Sequence, residues 1–333
     1  MQSSRLNTEC RICRGSNLVQ FLDLGVQALA NSFLRKADLA LPEAKYPLRV
    51  FFCKECGLSQ LVDIVSPELL FRDYVYFSSG MPSAPHFKRY AEEVTDRFLS
   101  SPQDLVVEIG SNDGHLLREI KAMGATILGV DPARNIAAKA NENGIPTIPE
   151  FFGETLARRI LQEHGEAKMV IGNNVVAHID DHHDLVRGVS LVLASDGVFI
   201  FEAPYLADMF ENLTFDTVYH EHMSYLLVRP LMHLFAQYGM EIFDAKIVPS
   251  QGNSLRVFAG KYGAFHVDPS VGALVQKEFT LGLDTIEAYH ELGERVAKLK
   301  NEVVSLVGNL KRQGKRIAGY GAPAKGNTLL NYF

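Results

Sequence analysis

The chain is poor in cysteine. Its 333 residues hold only Cys10, Cys13, Cys53 and Cys56. So few thiols do not make a disulfide-laced secreted scaffold, and in a cytosolic chain two disulfides are the disfavoured reading. No Lys/Arg-rich run is present and the formal net charge is −6, which argues against nucleic acid as a partner. No apolar run reaches membrane-spanning length, so no membrane association is expected. The opening residues, MQSSRLNTEC, show neither a basic n-region nor an apolar h-region. A secretory signal is therefore not expected, and the cytoplasm is the expected location. Internal repeats and low-complexity tracts are also missing. At 47% apolar residues, what remains describes a soluble globular enzyme of two or three domains.

The four cysteines form two C-x-x-C knuckles, each followed closely by a glycine, Gly15 or Gly57. Each knuckle lets two thiolates meet one ion, and four thiolates complete a tetrahedral zinc site; a rubredoxin-type iron site has the same ligand set. No fifth ligand candidate lies nearby, so the site reads as closed and structural.

Residues 105–131, LVVEIGSNDGHLLREIKAMGATILGVD, carry the clearest chemical signal. An apolar strand (Leu105 to Ile109) breaks at Gly110 into Ser111-Asn112-Asp113-Gly114. A helical pattern follows, then a second apolar strand ending on Asp131. This is a βαβ opening with a glycine loop and an acid placed for a ribose diol. Glu108 and Asp113 would repel a diphosphate, whereas they suit a cationic, phosphate-free nucleoside such as S-adenosylmethionine. Further strands are expected at 168–173 and 197–203, and an antiparallel hairpin at 241–248 and 254–259. A parallel sheet with an antiparallel edge matches the class I methyltransferase (Rossmann-like) α/β fold. Ligands bind such sheets at the carboxyl ends of the strands. Those ends here are Gly110 to Gly114, Asp131-Pro132, Asn173-Asn174 and Glu202 to Pro204, with His178 a short way beyond Asn174.

Three other segments stand out. Residues 71–80, FRDYVYFSSG, form a Tyr/Ser-rich stretch before a helix at about 84–100; it is either a lid or packing aromatics. Residues 215–225, FDTVYHEHMSY, are dense in titratable groups. A neutral imidazole is a competent base near pH 7, and a neighbouring carboxylate can orient it. Catalytic, structural and metal-binding roles all remain open for that run at this point. After two amphipathic helices across 270–313, Arg316 to Tyr320 reads as a buried strand. It leads into Gly321-Ala322-Pro323-Ala324-Lys325-Gly326-Asn327-Thr328, a glycine loop and lysine at a helix start, which suits an anion. The expected division is a zinc lobe at 1–70, a methyltransferase domain at 71–262, and a linker with the truncated start of a C-terminal α/β nucleotide-binding domain at 263–333.

Taken in order, the cysteine lobe, EIGSNDG, GNNVVAHI, YHEHMSY and GYGAPAKGNT resemble the sugar C-methyltransferases that act on nucleoside-diphosphate 4-keto-6-deoxyhexoses, of the C-3′-methyltransferase type. The resemblance spans Cys10 to Phe333. It implies a zinc-binding N-terminal domain and an S-adenosylmethionine site using Glu108, Gly110, Asn112, Asp131, Asn173 and Asn174, with Gly114 and Pro132 at the same strand ends. Tyr76 and Ser79 carry over to a lid, and Tyr219, Glu221, His222 and His178 to the active site. Gly321, Ala322, Lys325 and Asn327 fall where such enzymes grip the sugar nucleotide, expected to be deoxythymidine diphosphate-linked. His222 is expected as the base that forms an enolate, with Tyr219 and His178 as oxyanion partners and Glu221 orienting or contacting the donor. A monomer is expected. The alternatives are an O- or N-methyltransferase of a small metabolite or glycan sugar, or a truncated homologue without activity.

Overall fold

The structure is a computed structural model that describes residues 3–80, 84–250, 252–321 and 323–333. It divides into two compact units that do not follow chain order. One gathers residues 1–66, 205–227 and 277–333, and the other gathers 67–204 and 228–276. The sequence-based division is contiguous because it reads along the chain, whereas compactness follows contacts.

The second unit is built on a seven-stranded sheet: β1 (Leu105–Ile109), β2 (Thr126–Val130), β3 (Thr147–Ile148), β4 (Ala167–Ile171), β5 (Leu193–Pro204), β6 (Met240–Val248) and β7 (Ser254–Lys261). The strand order is 3-2-1-4-5-7-6, with β7 antiparallel to both neighbours and the other pairs parallel. Every residue of β1 is buried, as expected of a parallel strand covered on both faces. One face carries helices 84–98 and 115–122; there Tyr90, Val94, Leu117 and Ile120 pack with Met169, Ile200, Phe243 and Phe258. Reversal of order at β1 and β4 opens a crevice at their carboxyl ends, the usual ligand position in open α/β sheets.

The first unit holds a four-stranded antiparallel sheet in the order Ser224–Tyr225, Ser59–Leu61, Lys45–Cys53, Leu18–Ala28. Helix Ile286–Arg312 packs on strand Leu18–Ala28. Gly293 allows this approach, since a Cβ there would lie 2.6 Å from the Phe21 carbonyl oxygen. Tyr289, fully buried, fills the seam against Phe21, Phe52 and Phe210 at ring separations of 4.4–4.9 Å.

One expected element fails. Arg316 to Tyr320 is not a strand; no described residue pairs with it and it lies in the open, Tyr320 fully exposed. An apolar run becomes a strand only when a neighbour takes its N–H and C=O groups. Beyond Lys261 the regular structure described is helical: Pro269–Thr280, Ile286–Arg312 and Ala324–Tyr332. Among the described residues no helix is long and apolar enough to cross a membrane.

Candidate active site

At the cysteine cluster, the four Sγ atoms lie within 4.8 Å of one another. Cys10 and Cys56 are 3.4 Å apart, and Cys13 and Cys53 are 3.5 Å apart. These are non-bonded separations, so the disulfide alternative fails. A tetrahedral zinc with about 2.3 Å bonds needs sulfurs about 3.8 Å apart, which these backbones supply with little adjustment. Hydrogen bonds from Cys10 and Cys56 push the Cys53 thiol down, while hydrogen bonding within the cluster pushes Cys10 and Cys56 up and burial pushes Cys13 up. The knuckles close on left-handed residues, Gly57 as the sequence suggests but Arg14 (φ 60°) in place of Gly15.

At the carboxyl end of β1, Gly110 (φ 66°), Asn112 (φ 51°) and Gly114 (φ 77°) turn the chain sharply out of the strand. Asparagine tolerates this region better than other side-chain-bearing residues. Asp131, at the tip of β2, accepts from the Asn112 N–H with Oδ2 and from the Ala133 N–H with Oδ1, both at 2.9 Å. Burial pushes its pKa up against these two bonds. Asp131 thus fixes the glycine loop and the Pro132 turn. Glu108 is 5% exposed, and its Oε2 has no hydrogen-bond partner among the described residues. Burial, with Asp131 and Asp113 close by, raises its pKa well above the carboxylate range. A cation placed here would relieve all three acids, as S-adenosylmethionine would.

The Tyr/Ser-rich segment is tied to this loop. Asn112 accepts from the Ser78 N–H at 2.8 Å and donates to the Tyr76 carbonyl at 3.0 Å. Asn135 holds Tyr74 through both its donor and acceptor. The Tyr76 side chain is 38% exposed, and the Ser79 side chain lies outside the described residues. At the end of β4, Asn173 accepts from the Tyr90 hydroxyl, and the Asn174 N–H donates to the Glu202 carbonyl at 2.7 Å. His178 stacks on Phe71 at 5.7 Å, and burial pushes its pKa down to about 4. It is neutral near pH 7.

The titratable run of the first unit is a turn, closed by the His222 N–H on the Tyr219 carbonyl at 2.9 Å. That turn overlays residues three apart. The Tyr219 hydroxyl lies 2.7 Å from His222 Nε2, with ring centroids 3.9 Å apart. His222 Nδ1 lies 2.7 Å from the Thr217 carbonyl, an acceptor only, so Nδ1 carries the proton and Nε2 the lone pair. His222 is buried. Glu221, buried too, accepts from the Asn31 amide at 2.7 Å. His220 turns away, placing Nε2 3.2 Å from the Tyr46 carbonyl, and burial lowers its pKa. Helix 324–332 braces the turn: Thr328 donates to the Val218 carbonyl at 2.8 Å, and Tyr332 and Phe333 pack on Phe215.

Asn31 escaped the sequence reading because nothing in ALANSFL suggests a contact with residue 221. The contact of Thr328 with the Val218 carbonyl escaped because the GYGAPAKGNT motif reads as an anion loop. In that segment Gly321 has φ 90°, Asn327 donates to the Ala28 carbonyl at 3.3 Å, and Lys325 sits in the first helical turn. Ala322 lies outside the described residues.

Comparison with known proteins bears on both regions. Residues 10–71 match a zinc binding domain family, 84–245 a methyltransferase domain family, and 249–333 a C-methyltransferase C-terminal domain family. Over 324 residues the chain is 37% identical to C-methyltransferase NovU of Streptomyces niveus, covering 97% of this chain and 77% of that one. Among solved structures, an S-adenosylmethionine-dependent methyltransferase of Clostridium acetobutylicum ATCC 824 gives a TM-score of 0.43 at 12% identity, covering 56% of this chain and 94% of that one. Magnesium protoporphyrin IX methyltransferase of Synechocystis PCC 6803, with bound S-adenosylmethionine, gives 0.39 at 13%, covering 52% and 79%.

Proposed function

Because the chain belongs to the S-adenosylmethionine-dependent C-methyltransferase family, we propose that it methylates the carbon next to the ketone of a nucleoside-diphosphate 4-keto-deoxysugar. The nucleotide is assigned as deoxythymidine diphosphate, with Gly321, Lys325 and Asn327 toward its phosphates, and the protein as a monomer. Carbon is a poor nucleophile until its α-proton leaves. The reaction therefore divides into proton removal, giving an enolate, and attack of that enolate on the sulfonium methyl, giving S-adenosylhomocysteine. The first step needs a near-neutral base and a donor for the developing oxyanion.

One observation carries this reading. His222 has Nδ1–H anchored on the Thr217 carbonyl, and its basic Nε2 meets the Tyr219 hydroxyl at 2.7 Å. An imidazole fixed in one tautomer, with its lone pair on a phenol, is built for proton transfer rather than packing. His222 is assigned as the base and Tyr219 as the oxyanion donor; the neutral His178 keeps its assignment as a second donor. Glu221, held by Asn31, is assigned to orienting the substrate or the donor. The 2.7 Å contact also favours a second route, in which Tyr219 takes the carbon-bound proton while passing its own to His222 Nε2. On the donor side Asp131, Glu108, Asn112, Asn173 and Asn174 are assigned to S-adenosylmethionine, with Tyr76 over the crevice.

The test is hydrogen exchange. In deuterated water, with a 4-keto sugar nucleotide and S-adenosylhomocysteine, the protein should exchange the α-proton without methylating. His222→Ala should lose exchange. Tyr219→Phe should slow exchange without abolishing it if His222 acts directly, since only the oxyanion donor is lost, and should abolish it if the proton passes through the phenol. A folded His222→Ala protein that binds donor and exchanges at the wild-type rate removes the assignment.

A further inference from the structure

Helix 84–98 carries His86, Tyr90 and Glu93 one turn apart, hence on one face. That face meets the carboxyl ends of β4 and β5. Asn173 Oδ1 accepts two hydrogen bonds there, from the Tyr90 hydroxyl and from the Glu202 N–H, each at 3.1 Å. Two donors converging on one atom require it to be the carbonyl oxygen, so the amide nitrogen must face the other way. That nitrogen, Nδ2, is buried and has no hydrogen-bond partner among the described residues. A buried amide donor without an acceptor is unfavourable unless something else supplies one.

The orientation is locked from behind. The Arg256 guanidinium lies 3.8 Å from the Tyr90 ring centroid. Arg256 pairs with Glu202, Nε to Oε1 at 2.7 Å, and with Glu93 at 2.8 Å, and is 3% exposed. His86 closes on the other Glu202 oxygen at 3.2 Å. Burial holds the Tyr90 phenol well above its ordinary pKa, so it stays a hydrogen-bond donor.

The sheet order indicates what Nδ2 meets. With β2, β1 and β4 adjacent, the tips of β2 and β4 are two strand spacings apart, about 10 Å. If Asp131 on β2 takes the ribose, the portion of S-adenosylmethionine that reaches β4 is its amino-acid end, whose carboxylate is a strong acceptor. We propose that Tyr90 is a positioning residue that fixes the Asn173 amide so that Nδ2 donates to the carboxylate of the methyl donor. This rests on the reading of the crevice as the donor site.

Calorimetry with S-adenosylhomocysteine and with 5′-methylthioadenosine, which lacks the amino-acid end, tests it. Asn173→Ala should weaken the first by about tenfold and leave the second unchanged. Tyr90→Phe, which deletes one hydroxyl and keeps the ring under Arg256, should weaken S-adenosylhomocysteine by about fivefold without lowering the melting temperature. The double variant should be no weaker than Asn173→Ala alone, because Tyr90 acts through Asn173. Asn173→Asp replaces the donor by an oxygen and serves if the alanine variant does not fold. Additive losses, or Tyr90→Phe at wild-type affinity, overturn the positioning role. Equal losses for both ligands overturn the carboxylate contact. If Asp131→Ala binds S-adenosylhomocysteine normally as well, the donor-site reading falls with the proposal; if Asp131→Ala alone weakens it, only the proposal falls.

Discussion

The glycine loop after β1 and the Tyr219–His222 turn are both short polar loops, yet they are assembled from very different distances along the chain. Asn112 meets Asp131, 19 residues away, and the two strands that place them are neighbours in sequence. Glu221 meets Asn31 across 190 positions, and Val218 meets Thr328 across 110. A locally built loop announces its chemistry in sequence and should withstand damage elsewhere. A loop built from remote pieces should depend on every segment that holds it.

The largest expected effect comes from breaking that support. The zinc knuckle Cys53/Cys56 leads directly into strand Ser59–Leu61, which pairs with Ser224–Tyr225 just after His222. One zinc per chain is expected by elemental analysis. Structural zinc sites commonly carry on the order of 10 kcal/mol of binding energy, so Cys53→Ser or strong chelation should melt the first unit. S-adenosylhomocysteine binding at the local loop should survive. A metal-free preparation with full activity and an unchanged melting curve would falsify this dependence.

Next in size is His222→Ala, expected to slow methyl transfer by about two to four orders of magnitude with donor affinity intact. Steady-state rates beside a calorimetric titration separate the two; a loss confined to donor affinity would move the residue out of the proton-transfer role.

The local loop has its own test. Asp131→Ala should weaken S-adenosylhomocysteine by about 1–3 kcal/mol, since a charge-assisted contact and the support of two backbone N–H groups go together. An unchanged dissociation constant in a folded variant contradicts the ribose assignment.

Asn31→Ala probes the remote contact most gently. Turnover is expected to fall about tenfold through loss of one hydrogen bond to a carboxylate, with Asn31→Gln restoring part of it. Wild-type turnover would mean that Glu221 needs no external hold.

The smallest effect is a pH slope. His178 is held neutral in the fold, its pKa lowered to about 4 by burial, while the unfolded chain takes up a proton below the ordinary histidine value. The unfolded state then binds more protons, so stability present at neutral pH declines as pH falls from about 6.5 toward 4. Denaturant melts across that window should show a shallower decline in His178→Gln; identical slopes would assign the decline to other groups.

By itself the sequence determined what depends on near neighbours. The Cys10/Cys13 and Cys53/Cys56 knuckles, the EIGSNDG turn with Asp131, and the hairpin at 241–248 and 254–259 need only short-range geometry, so residue type and spacing specify them. Tyr219 and His222 were legible as chemistry, but a strand would have sent them to opposite faces; the turn that joins them is a local hydrogen bond that the residue types do not demand. Only the tertiary structure supplied Asn31 behind Glu221, Thr328 beneath Val218, and Arg256 over Tyr90. The same holds for the exposed 316–320 segment, whose apolar pattern matches a strand but finds no partner among the described residues. Each of these depends on which distant segment arrives beside it, and pairing across a hundred or more residues is decided by the packing of the whole unit.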